Sequence, residues 1–86
     1  MIIKDIQNIK TNKTRTDGRY PRRIGSTVRF AFPLCISQCM FLEYQADKNG
    51  APKDGYLRTS SVIDVEETET EFIVETLNSR YILGKD

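Results

Sequence analysis

The chain has no histidine, no tryptophan and only two cysteines in its 86 residues. Without an imidazole, Cys35 and Cys39 lack the usual base of a thiol nucleophile, and Ser60 and Ser61 have no partner for a serine triad. Two thiols spaced C-x3-C with no histidine cannot complete a four-ligand zinc site within one chain. In an extended segment they stand roughly 13 Å apart, too far for a disulfide without a sharp bend, so they are expected as reduced, partly buried thiols, with a redox role or a metal site shared between subunits as the alternative. No apolar run approaches the roughly 18 residues that span a bilayer, and MIIKDIQNIK has charges where a leader peptide needs a continuous apolar stretch. Cytoplasmic location, no membrane contact and no enzyme activity are the resulting expectations.

Other chemistry is also missing. DKNGAPKDG offers Asp47, Asn49 and Asp54 but not the ligand spacing or terminal glutamate of a calcium loop. Gly50 and Gly55 are followed by Tyr-Leu where a phosphate-cradling loop has Lys-Ser/Thr. No metal or cofactor is expected. The run Glu66, Glu67, Glu69, Glu71 reads as a solvated acidic turn rather than a catalytic carboxylate pair.

What the chain does have is charge sorted by position. Residues 1–29 carry eight bases against two acids, a net of +6, whereas residues 30–86 carry five bases against ten acids, a net of −5. The bases concentrate in TNKTRTDGRYPRRIG, residues 11–25, which holds Lys13, Arg15, Arg19, Arg22 and Arg23 with Tyr20 among them. Guanidinium forks suit phosphates and an interleaved ring suits base stacking, so these six residues are the candidate contacts for nucleic acid or for a protein that presents similar charge. The competing expectation is internal: the acidic EETETE segment pairs with the arm and neutralises it.

Local pattern places these features on a β-rich frame. Ile2, Ile6 and Ile9 are spaced as on one side of a short helix over residues 1–10. Residues 11–25 lack apolar periodicity and read as a long flexible loop. Beyond them Val28, Phe30 and Phe32 alternate, as do Met40, Leu42 and Tyr44. Leu57, Ile63 and Val65 are the expected inward set of the next strand. Phe72 with Val74 and Tyr81 with Leu83 form a last hairpin, turning at Leu77-Asn78 where asparagine tolerates positive φ. Three turn signals in ADKNGAPKDG mark a surface loop. The whole predicts one domain with its core in residues 26–84: a mostly β, small antiparallel barrel of about five strands, SH3-like or OB-like. In such a barrel Tyr56, at a loop exit, is a candidate groove residue beside Tyr20, Tyr44 and Tyr81, and an unpaired sheet edge offers a route to a homodimer.

One pattern extends beyond composition. Thr59, Ser60 and Val62, then an acidic turn, then Val74, Thr76, Asn78, Ser79, Tyr81 and Leu83 spell V-x-T-x-N-S-x-Y-x-L over about a third of the chain. This resembles the C-terminal half of small uncharacterised proteins encoded by phages and mobile elements. The resemblance implies binding to a host protein or nucleic acid. It admits a second expectation, an inhibitor of a host defence or nucleic-acid-processing enzyme, anti-CRISPR-like, using Glu66, Glu67, Glu69 and Glu71 as phosphate mimics, with Tyr56 as a further contact.

Overall fold

Alternating apolar and polar residues build six antiparallel strands in the computed structural model, which describes residues 1–85. They are β1 (Ile2–Asn8), β2 (Thr27–Phe30), β3 (Cys39–Ala46), β4 (Tyr56–Glu67), β5 (Glu71–Thr76) and β6 (Ser79–Gly84), with one short helix, α1 (Tyr20–Arg23). Each strand pairs with the next in sequence and β6 pairs with β1, closing a barrel. The expected small antiparallel barrel is therefore present, in meander order, with one more strand than the pattern suggested. Closure leaves no full-length free edge. The thinnest seam is β1 with β2, where only Ile2 and Thr27 stand opposite one another.

The added strand is the segment expected to be a helix. Ile3 faces Leu83 and Asp5 faces Ile82, so Lys4 is an extra residue on β1. A bulge of this kind sends residues three apart to the same side. Ile3 and Ile6 consequently both enter the core, and their spacing imitates a helical repeat. Ile2 faces outward instead.

Bulges also let β4 turn a corner. Between Arg58 and Ser61, and again between Val62 and Asp64, β4 gains one residue on its partner, first on β3 and then on β5. The first half of this twelve-residue strand thus pairs with β3 and the second with β5. The same slips change which residues point inward: Leu57, Thr59 and Val62 are buried, whereas Ile63 is exposed. The expected inward Ile63 is therefore displaced by Val62. Phe32 likewise lies beyond the end of β2 and is exposed rather than part of the core.

Ile3, Ile6, Val28, Met40, Leu42, Leu57, Val62, Val74, Tyr81 and Leu83 fill the interior, with Tyr20 and Ile24 packed against them from the arm. Burying each aliphatic side chain contributes about 1.5–3 kcal/mol, so a core this small depends on every member. The β5–β6 turn falls at Leu77-Asn78 as expected, but Asn78 does not adopt positive φ. Thr76 holds the turn: its Oγ1 accepts from Ser79 N–H at 3.1 Å and donates to Ser79 O at 3.0 Å.

Residues 11–25 are not a loose arm. The accessible surface of 5380 Å² is close to the roughly 5,200 Å² that a folded chain of this mass exposes, so little of the segment stands away from the barrel. Asn8 N–H donates to Lys13 O at 2.9 Å and Arg15 N–H to Ile6 O at 2.8 Å, laying residues 13–15 along β1. The chain then turns at Asp17-Gly18, and Pro21, in the first turn of α1, has its φ already set for a helix.

Candidate functional site

Arg15 departs most from its expected role. Its guanidinium meets Asp17 at 3.2 and 3.0 Å, donates to Asn78 O and Ser79 Oγ at 2.9 Å each, and lies 4.4 Å from the centre of the Tyr20 ring. The bond to Arg15 holds the Asp17 carboxyl below its usual range. Four of its five N–H donors are taken within the chain, so Arg15 ties the arm to the β5–β6 turn. Tyr20 is committed too, since Arg23 lies 5.4 Å from the same ring centre and the ring packs on the core. Lys13 is exposed in the turn after β1.

Arg19, Arg22 and Arg23 behave differently. They come from α1 and its N-terminal flank, and they meet the β3–β4 loop at one end of the barrel. A cleft of ≈ 240 Å³ is lined by Arg19, Arg22, Arg23, Tyr44 and Lys53, and an adjoining one of ≈ 280 Å³ by Arg22, Asp47, Lys48, Asn49 and Lys53. Arg22 and Lys53 wall both. Pattern reading missed Lys48 and Lys53, because they lie more than twenty residues downstream in a segment marked only by turn residues.

Local structure explains why that loop holds its lysines there. Asp47 Oδ1 accepts from Asn49 N–H at 2.8 Å and Ala51 N–H at 3.0 Å, and Gly50 has φ +84°, giving a tight turn. Lys53 Nζ lies 4.1 Å from the centre of the Tyr44 ring. On the arm, Gly25 has φ +92°, and a Cβ there would lie 2.9 Å from Lys48 Cβ. Only glycine admits both that backbone and that approach, so Gly25 lets the two loops close on one another.

Burial raises the Tyr44 hydroxyl pKa, with the Arg23 charge opposing it, and pushes that of Tyr81 up to about 12. Both rings belong to the core rather than to an exposed groove. Tyr56 alone among the four tyrosines is largely exposed, on the outer face of β4.

The acidic segment does not neutralise the arm. Glu67 pairs with Lys85 at 2.6 Å and Glu71 with Lys4 at 2.9 Å, while Glu66 and Glu69 are exposed. Glu66 and Glu67 belong to β4 itself; only Glu69 sits in the turn. Among the described residues no carboxylate forms an ion pair with Arg19, Arg22, Arg23, Lys48 or Lys53. Asp47 lines the second cleft without forming an ion pair among the described residues, so five cations face one carboxylate there, and the net positive potential suits phosphate oxygens. Cys35 is exposed in the β2–β3 loop and Cys39 half-buried at the start of β3; both are free, so Cys35 is less buried than expected. Compared with known protein families, curated proteins and solved structures, the chain matches none.

Proposed function

We propose that this barrel is a non-enzymatic binding module that takes nucleic acid at its basic end. The observation that carries the reading is the convergence of Arg19, Arg22, Arg23, Lys48 and Lys53, from two separate loops, with no ion pair from a carboxylate to any of them among the described residues. Like charges held together cost stability, and a folded anchor (Arg15, Gly25, the Asp47 turn) keeps them together nonetheless. Phosphate oxygens supply the missing counter-charge, and the arginine forks take them two oxygens at a time. Four or five such contacts give weak affinity that falls steeply with salt.

Binding to short DNA and RNA across a salt series tests this. Each phosphate contact contributes about −0.7 to −0.9 to the slope of log K against log salt, so R22Q/K53Q should flatten it by about 1.5. Absence of binding even at low salt would refute the proposal.

A second reading rests on the β4–β5 hairpin, where Glu66 and Glu69 are exposed and have no cation partner among the described residues. Here the module is an inhibitor, of phage type, that offers carboxylates to a host defence or nucleic-acid-processing enzyme. Inhibition of a bacterial nuclease, lost on E66Q/E69Q and unaffected by R22Q/K53Q, distinguishes it from the first.

A further inference from the structure

The outer face of β2, β3 and β4 carries an aromatic groove that the basic end does not use. Register places Arg29 opposite Glu43 and Glu43 opposite Tyr56, with Phe41 opposite Arg58 two residues along. Successive side chains on a strand alternate in direction, so Phe41, Glu43, Tyr56 and Arg58 share the face turned away from the core. Phe32 folds back over it and meets Phe41 edge-on, with ring centres 5.7 Å apart at 86°. The result is a groove of ≈ 620 Å³ that includes Phe32, Phe41 and Tyr56, and a second of ≈ 420 Å³ that includes Phe32, Phe41 and Arg58. Phe32 borders both.

Two of these rings, Phe32 at 64% and Tyr56 at 63%, are mostly exposed to water. Single exposed apolar side chains need no explanation, but rings gathered around one groove mark a contact surface. The charges around it narrow the choice of occupant. Glu43 is held by Arg29, whereas Arg58 has no carboxylate partner among the described residues. The groove lies near the basic end along the chain: Tyr56 follows Lys53 of the basic cleft by three residues, at most about 11 Å of extended chain.

We infer that the groove is a stacking platform for unpaired bases, so that the ligand of this module is single-stranded nucleic acid lying from the Arg22/Lys53 cleft onto Tyr56 and Phe32. This rests on the phosphate-binding reading and makes it specific. A duplex keeps its base faces covered by their neighbours and gains nothing from exposed rings. A single strand has free base faces, and each stacked base adds affinity without regard to sequence. The phosphates go to Arg19, Arg22, Arg23 and Lys53, and Arg58 meets the strand again beyond Phe32.

Fluorescence anisotropy with a short oligothymidylate, a duplex of the same length and a proline-rich peptide tests the inference, using wild type, F32A, Y56A and R22Q, each first checked for an unchanged melting temperature. The expected result is tighter binding of oligothymidylate than of duplex at the same salt. Y56A and F32A should each weaken oligothymidylate binding by about 5- to 150-fold without altering the salt slope or the duplex affinity, whereas R22Q should weaken both ligands and flatten the slope. Equal binding of single strand and duplex, insensitive to both ring removals, overturns the inference and leaves the phosphate reading standing. Binding of neither nucleic acid overturns both. Ring-dependent binding of the peptide in place of oligothymidylate makes the groove a peptide site and overturns the inference alone.

Discussion

Removing the Arg15 side chain should destabilise the fold by breaking the arm's tie to the β5–β6 turn, without removing any charge of the basic clefts. Arg15 is about one-sixth exposed, at 16% of its side-chain surface. It donates to Asn78 O and Ser79 Oγ and stacks on Tyr20. Bonds from a charged donor reach about 1.5–3 kcal/mol when dry, so about 1 kcal/mol each is appropriate at this partial exposure. The cation–π contact adds about 0.5–1 kcal/mol. The pair with Asp17 is solvated and adds little. Arg15→Ala should therefore cost about 2–3 kcal/mol, read as a lower urea midpoint with an unchanged slope. Arg15→Lys should recover less than half, because an ammonium cannot reach Asp17, Asn78 and Ser79 in one plane. At a temperature where the variant remains folded, its affinity for DNA should match that of wild type. A cost below about 0.5 kcal/mol, or full recovery with lysine, would refute the assignment of Arg15 as an anchor. So would a loss of binding as large as that of R22Q/K53Q in a fully folded variant.

Two further predictions address the barrel itself. Val62→Thr puts a hydroxyl into the core and should cost about 1–3 kcal/mol, whereas Ile63→Thr, on the exposed side of the same bulge, should stay within about 0.5 kcal/mol; the reverse order in urea unfolding would mean the β4 register is wrong. Burial pushes the Tyr81 pKa from 10.0 up to about 12, so the folded state keeps the proton that the unfolded chain releases. Stability is then full below pH 10 and falls as pH rises towards 12, by about 2–3 kcal/mol from this group. Urea midpoints at either side of that window should show the loss in wild type and a smaller one in Tyr81→Phe.

Strand pattern made the second half of the barrel legible. Val74, Tyr81 and Leu83 are buried as their alternation requires, and so are Met40, Leu42 and Tyr44. Phe32 lies beyond the end of its strand, and the other strand errors fall where an extra residue breaks a two-residue period. At Lys4 the bulge made a strand look like a helix, and in β4 two bulges exchanged Ile63 for Val62. None of the three bulges carries a glycine or proline to announce it.

Local sequence alone determined the β-rich class, the turn at Leu77-Asn78, the clustering of base in residues 11–25 and the absence of histidine chemistry, because each depends on residue type or on neighbours within a few positions. The division of that basic cluster was a tertiary matter. Arg15 became an anchor because the β5–β6 turn presents Asn78 O and Ser79 Oγ to it, over sixty residues away in sequence. Arg19 and Arg22 remained exposed and Arg23 half-buried beside Tyr20, and the three gained Lys48 and Lys53 because Gly25 lets the β3–β4 loop approach the arm. EETETE was the nearest block of opposite charge by composition, but charges pair by distance in space, and closure of the barrel placed Lys4 and Lys85 beside those acids instead.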